Sequence, residues 1–233
     1  MPIFRYHPDI IERFPQLRAG IIIGAGLTNP LSAAPLKDTY MSEQSATLLR
    51  IADTPLSDIV SLAAWRKTFR SFGVNPTKYR SAPEALLRRL TKKGDIPSIN
   101  TLVDISNLVS IRFALPVAAF DRRDVRGPVT VKFAEGAEHF TPLGRDLVDH
   151  PKPGEVIFAD DRDMVVARRW CWRQSTESAA NVDTKEVIAT IEAQHERGMD
   201  DVQAALSDLM ELLKVYAGGT YISGLLGPEN LEI

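Results

Sequence analysis

The chain has 233 residues, 44% of them hydrophobic and 25% charged, with a formal net charge of −2 at pH 7. This is an ordinary globular composition, long enough to bury a sizeable core in one large domain or two small ones, and its near-neutrality excludes a globally basic nucleic-acid coat. The single cysteine, Cys171, excludes an intrachain disulfide or a cysteine-based metal cluster and fits a reducing cytoplasm.

Residues 1–11 show no basic leader followed by an apolar run. The longest greasy stretch, 21–27, is too short to span a bilayer, so no membrane partner is expected. Residues 4–15 mix apolar and charged side chains. Residues 19–24 set a β-branched run between Gly20 and Gly24, the pattern of a buried strand. Pro30 and Pro35 mark 29–38 as a loop. A helix is expected over 40–52, with Leu48, Leu49 and Ile51 inward.

Ser57 is an N-cap residue type, and a helix from it to about Phe72 turns Ile59, Leu62, Ala63 and Phe69 or Trp65 toward the core. Gly73 ends it. Ser81-Ala82-Pro83-Glu84 has the capping-box spacing with proline in the first turn, and the helix it opens buries Leu86, Leu87 and Leu90 before stopping at Gly94. Residues 97–111 leave little room for a solvent face. As a helix, they set Asn100, Asp104 and Asn107 in one narrow polar stripe, which either pairs internally or lines a polar cavity.

Residues 129–134, 155–159 and 164–170 read as strands separated by turn signals. Residues 185–193 fit a strand or a short helix. Val202, Ala205, Leu206, Leu209, Leu212, Leu213 and Tyr216 repeat at helical spacing over 200–216, and Gly218-Gly219 ends that helix. Residues 220–233 lack periodicity.

Charge is distributed unevenly. Residues 65–93 hold nine cations, Arg66, Lys67, Arg70, Lys78, Arg80, Arg88, Arg89, Lys92 and Lys93, against one acid, Glu84. Such a segment suits a phosphate-bearing partner, or else is the solvated faces of two helices. A second signal is Arg168-Arg169-Trp170-Cys171-Trp172-Arg173-Gln174. On a strand, Arg169, Cys171 and Arg173 share one face and Arg168, Trp170 and Trp172 the other. The tryptophans either stack on bases while the arginines hold phosphate or carboxylate, or they are core and the arginines snorkel outward. The same arginines would favour a Cys171 thiolate; a cysteine on one face of an edge strand is the plainer reading.

No metal or cofactor is expected. His7, His139, His150 and His195 have no ligand spacing. Gly24-Ala25-Gly26 follows a strand but lacks the third glycine of a dinucleotide fingerprint, since Asn29 stands there. Neither a phosphate loop nor a serine-hydrolase elbow occurs.

Pro97-Ser98-Ile99-Asn100-Thr101-Leu102-Val103-Asp104-Ile105-Ser106-Asn107, followed by Leu115-Pro116-Val117-Ala118-Ala119-Phe120-Asp121, resembles the B-three/B-four editing domain of the phenylalanyl-tRNA synthetase β subunit. That domain carries a Pro-Ile-Asn-x-Val-Val-Asp-x-Thr-Asn run and then Gln-Pro-x-His-Ala-Phe-Asp. The helix over 81–90 and Gly154-Glu155-Val156-Ile157-Phe158-Ala159-Asp160 also fit. The likeness covers roughly 4–193. It is strongest to free-standing proteins built around this domain, which share Phe14-Pro15-x-Leu17-Arg18, Trp65-Arg66 and the Arg-Arg-Trp-x-Trp-Arg stretch.

The resemblance implies an α+β, three-layer domain with a β-sandwich-like core and peripheral helices, a single unit over 1–233 with its C-terminal helix at about 200–217, and a strand at 185–193. It implies a cytoplasmic protein whose partner is tRNA or aminoacyl-tRNA rather than DNA, and a cleft that in the synthetase hydrolyses tyrosine wrongly attached to the phenylalanine tRNA. This chain departs from the pattern. The synthetase histidine falls at Ala118 and its glutamine at Leu115, and a glutamate that reads the substrate hydroxyl aligns to Thr190, two residues before Glu192. The Trp/Arg segment replaces a Gly-rich stretch. Class II ligase motifs are absent, so the chain is not itself the ligase.

The expected activity is therefore editing-type deacylation or tRNA binding. Ester hydrolysis needs positioning and an oxyanion stabiliser more than a strong base. Arg168, Arg169 and Arg173 are the candidates to stabilise negative charge, and Asp121 to bind an α-ammonium. Asn100, Asp104 and Asn107 are candidates to hold the amino acid or water, with Trp170, Trp172 and Glu192 as further substrate contacts. The alternative is a non-catalytic module for RNA or a small carboxylate metabolite. The helix over 202–216 is a candidate dimer surface, and the oligomeric state stays open.

Overall fold

The computed structural model describes residues 2–145 and 147–233. In chain order the elements are β1 (Phe4–Tyr6), α1 (Pro8–Arg13), β2 (Arg18–Ala25), α2 (Ala34–Ile51), a 3-10 turn (Leu56–Asp58), α3 (Val60–Ser71), α4 (Ala82–Lys93) and α5 (Thr101–Phe113). There follow β3 (Val117–Asp121), β4 (Val129–Phe133), β5 (Val156–Ala159), β6 (Val165–Arg168), β7 (Arg173–Gln174), β8 (Glu186–Ala193), α6 (Gly198–Tyr216) and β9 (Thr220–Leu226).

Strand β2 is buried on both faces, so it needs a cover on each. It lies inside an antiparallel sheet of order β3-β8-β2-β9. Ile22, with Val187, Ala189 and Ile191 of β8, packs under the helices against Leu36, Leu87, Leu108 and Leu209. Ile21 and Ile23, with Ile188 and Phe120, point the other way and meet Val131, Val156, Phe158 and Val166. Those four belong to the second sheet, order β1-β4-β5-β6-β7, in which only the β1–β4 pair is parallel. Helices, sheet and sheet thus form three layers of an α+β architecture, with a β-sandwich at its centre. Trp65 and Phe69 of α3 and Ile10 of α1 join the inter-sheet core. Helix α6 lies close over β2 because position 20 is glycine: a Cβ there would sit 3.0 Å from Leu206 Cδ1 and 3.2 Å from Val202 Cγ1.

Several local expectations change. Helix α2 starts at Ala34, inside the expected loop, with Pro35 in its first turn, where a missing N–H costs nothing. Leu49 points to solvent at 82% exposure, while Ile51 is buried as expected. Ser57 does not cap α3; its hydroxyl bonds Asp58 within the 3-10 turn, and both Trp65 and Phe69 are buried. Ser81 makes no side-chain cap bond to α4, and the Glu84 carboxylate pairs with Arg66 at 2.6 Å, so the expected capping box does not form. Gly94 ends α4 in the left-handed region at φ 82°. Residues 186–193 are a strand, and β3 and β9 form where no strand was expected.

Candidate functional site

The Trp/Arg segment is not one strand. Strand β6 stops at Arg168 and pairs with β7 through Arg168–Arg173 and Ala167–Gln174, so residues 169–172 are a turn. Arg169 and Trp170 have φ of 48° and 59°, a left-handed conformation that costs a non-glycine residue about 1–3 kcal/mol. Packing holds them there. The Trp170 ring is fully buried, edge-on to Trp65 at 5.3 Å and to Phe14 at 4.9 Å. Its Nε1 donates to Glu192 Oε1 at 2.8 Å. The Arg169 guanidinium lies 4.0 Å from the Tyr79 ring centre and 4.5 Å from that of Trp172, and 3.3 Å from Glu155. Glu155 also takes Arg168, at 2.9 Å and 3.2 Å. The Ala82 amide donates to the Cys171 carbonyl at 2.8 Å, tying the turn to the start of α4.

A cavity of about 160 Å³ lies between this turn and β3, one edge strand of the helix-covered sheet. Ser106 and Asn107 of α5, Thr190 and Glu192 of β8, Trp172 of the turn and Arg173 of β7 give it polar and aromatic walls; Ala118 and Phe158 are among its apolar ones. Gln174 Nε2 donates to the Ala119 carbonyl at 2.8 Å and links the two sheet edges.

Glu192 is the buried acid of this cavity. Both of its hydrogen bonds end on Oε1, from Tyr6 Oη at 2.6 Å and from Trp170. Burial pushes its carboxyl up to about 7, against the pull of those two donors. Burial and the Glu192 carboxylate hold the Tyr6 hydroxyl well above its usual range. Burial, with the same carboxylate, also pushes up the Cys171 thiol, which removes the thiolate reading. Arg173 is exposed, stacks over Trp172 at 4.7 Å and makes no ion pair among the described residues.

The fold therefore gathers Asn107, Trp170, Trp172, Arg173 and Glu192 around one hollow, with Arg169 buried against Trp172 outside the lining. It withholds others. Asn100 caps α5, accepting from the Val103 amide at 3.0 Å and donating to the Ala180 carbonyl at 3.2 Å. Asp104 is enclosed by the Ser32 hydroxyl at 2.6 Å, the Ser98 hydroxyl and the Ile99 amide at 2.8 Å. The polar stripe thus divides, two members pairing internally and Asn107 reaching the cavity. Asp121 is held by Arg123 at 2.7 Å and by the Thr184 hydroxyl. Arg168 is buried among Glu155, Asp149 and the His150 carbonyl, away from the cavity. Trp170 lines the hollow but, buried and edge-packed, has no face for a base.

In the cationic window, Arg66 and Arg80 turn to Glu84 and Arg89 to Asp95. Lys67, Arg70, Lys78, Arg88, Lys92 and Lys93 are exposed without ion pairs among the described residues. Sequence reading missed Tyr6, Tyr79, Ser106 and Gln174. Tyr79 had a signal, an aromatic ring between Lys78 and Arg80; Tyr6 had none, since its partner lies 186 positions away. The described residues hold no group of three or more His, Cys, Asp or Glu that could hold a metal ion, and no helix long and apolar enough to cross a membrane.

Known proteins share this part of the chain. A family model described as the B3/4 domain matches residues 64–218. The phenylalanine–tRNA ligase beta subunit of Fusobacterium nucleatum is 26% identical over 189 residues, 69% of this chain and 23% of that one. The same subunit of Idiomarina loihiensis is 27% identical over 225 residues, covering 86% and 27%. The Nitrobacter winogradskyi subunit is 37% identical over 91 residues, covering 39% and 11%. The chain spans about a quarter, or less, of the length of these relatives. An N-terminal fragment of the phenylalanyl-tRNA synthetase beta-subunit from Pyrococcus horikoshii aligns at a TM-score of 0.47 and 14% identity, covering 93% of this chain and 49% of that one. Every residue that lines the cavity falls inside the matched span, and the chain belongs to the B3/4 domain family.

Proposed function

We propose that this protein binds aminoacyl-tRNA and hydrolyses the ester between a wrongly attached amino acid and the terminal ribose, acting in trans as a cytoplasmic editing factor. One observation carries the reading: the cavity between the two sheet edges pairs an unpartnered arginine at its mouth with amide, hydroxyl and carboxyl groups inside. Relatives named as phenylalanine–tRNA ligase beta subunits supply the tRNA context.

In this mechanism water attacks the ester carbonyl, the carbon–oxygen bond to the ribose breaks, and the ribose hydroxyl leaves with a proton. Arg173 stabilises the developing oxyanion. Asn107 and Ser106 hold the aminoacyl group, and Glu192, poised near neutrality by burial, accepts a hydrogen bond or a proton inside the cavity. Lys67, Arg70, Arg88, Lys92 and Lys93 meet tRNA phosphates. The second reading, binding without turnover, is favoured by Ala118, a methyl on the cavity wall where the resembled domain has an imidazole.

The test is to offer purified protein a panel of mischarged tRNAs and follow release of the amino acid. At least one is expected to be cleared, with Arg173→Ala slowing release about 10²–10³-fold, as for loss of one oxyanion donor. Retained tRNA binding with no release from any member of the panel would replace deacylation by the binding-only reading.

A further inference from the structure

We propose that Tyr79, Arg169, Trp172 and Arg173 form a shelf at the cavity rim on which one nucleobase of a single-stranded RNA end stacks; it rests on the preceding reading only in taking that end to be the one that carries the cavity's occupant.

Four observations converge on this shelf. Aromatic rings and cations alternate along it: Lys78 lies 5.2 Å over Tyr79, Arg169 packs over both Tyr79 and Trp172, and Arg173 lies 4.7 Å over Trp172. Tyr79 and Trp172 meet edge to face at 5.0 Å, which sets two ring planes at a fixed corner. The other two tryptophans, Trp65 and Trp170, are fully buried, whereas Trp172 is only half-buried. The turn that keeps Trp172 outside carries two consecutive left-handed residues that are an arginine and a tryptophan, where hairpin turns place glycine or asparagine.

Charge selects the ligand class. Of Lys78, Arg169 and Arg173, Arg169 alone pairs with an acid among the described residues, and that acid, Glu155, also serves the buried Arg168. The shelf therefore retains positive charge beside flat π-faces. A carboxylate metabolite would use the cations and leave the rings idle; a nucleotide uses both, its phosphate on the exposed Arg173 and its base on a ring. Arg173 is the movable part: it is exposed, no ion pair or side-chain hydrogen bond holds it among the described residues, and a base would share or take over the Trp172 face on which it rests. Trp172 and Arg173 also line the cavity, so the stacked nucleotide and the cavity's occupant lie within covalent reach of each other.

The experiment measures equilibrium binding of the full chain to a 5′-labelled single-stranded RNA pentamer, by anisotropy. A second pentamer is abasic at its 3′ end. Wild-type protein is expected to bind the intact pentamer roughly 5–100-fold more tightly, the range for one base–aromatic stack. Trp172→Leu erases that preference and Trp172→Phe restores most of it. Arg173→Gln weakens both RNAs alike and lowers the salt slope by about 0.7, one phosphate on a single strand.

Equal affinity of wild type for the two pentamers, or an unchanged preference in Trp172→Leu, overturns the proposal. So does a peptide of alternating Asp and Phe that competes as well as the RNA. Should Trp172→Leu fail to fold, the wild-type comparison and Trp172→Phe still decide. These RNAs carry no ester, so the two readings fail separately. Deacylation without base preference removes the shelf and leaves editing standing; base preference without deacylation does the reverse.

Discussion

The buried carboxyl of Glu192 makes a pH signature that the fold alone predicts. In the unfolded chain this group titrates near 4.5; in the folded protein, burial pushes it up to about 7. The folded state therefore holds its proton more tightly. Stability from this group is complete below about 4.5 and is lost as pH rises through about 7. Moving one carboxyl over that interval corresponds to about 3 kcal/mol, at 1.36 kcal/mol for each tenfold change in proton affinity. Glu192→Gln keeps the shape and an oxygen to accept from Tyr6 and Trp170, but has no proton to lose. The two groups that share its surroundings, Tyr6 and Cys171, are both pushed upward, so neither titrates between pH 5 and 8. Glu138 and Asp149 are lowered, by backbone and Arg168 hydrogen bonds among other contacts, and act at the acid end, where they cancel between the two proteins. Urea unfolding at half-unit steps from pH 5 to 8 reads the difference. Wild type is expected to lose on the order of 2–3 kcal/mol more than Glu192→Gln across that range. Parallel profiles would refute a buried, elevated carboxyl.

Two stability predictions follow from the neighbouring charge and cap. Glu155→Gln leaves Arg168 and Arg169 in the interior without their shared carboxylate, and should lower the unfolding free energy by about 3–5 kcal/mol; a loss below 1 kcal/mol in urea titration would show that Asp149 alone suffices for the pair. Asn100→Ala removes the cap of α5 and its bond to the Ala180 carbonyl, with an expected cost of about 1–2 kcal/mol seen as a lower midpoint, without the loss of cavity function that a substrate-binding role would bring.

What the sequence shows depends on where each segment finds its partners. Strand β2 is legible because both of its faces are buried, so β-branched residues run unbroken between glycines. Helix α6 is legible because one face meets β2 and the other water. Strand β3 is Val-Ala-Ala-Phe-Asp, with little intrinsic strand preference; it exists because β8 offers it a ladder. Strand β9 is an edge strand whose residues before Leu226 are exposed or half-exposed on both sides, so it shows no apolar alternation. At the site, Asn107 is readable from helical spacing, whereas Asn100 looks like the same stripe but stands before the helix and caps it. Thr190 and Glu192 illustrate the reverse case. They differ by two positions, the strand period, so both face the inter-sheet side and both reach the cavity.

The Trp/Arg segment defeats period-two reasoning for a reason that bears on function. An unbroken strand would send Trp170 and Trp172 to the same side. The left-handed pair at Arg169 and Trp170 reverses the chain, so one indole goes inward to Glu192 and the other stays at the rim over Arg169. Inner carboxyl and outer shelf are thus two faces of a single turn, and Glu155 holds it by pairing with Arg169 while fixing Arg168 behind it. Side chains joined through one backbone reversal do not respond independently to substitution. A change at Trp170 that relaxes the turn must move Trp172 as well, so the hydrogen bond to the cavity's acid and the Tyr79–Trp172 corner are set by the same four residues.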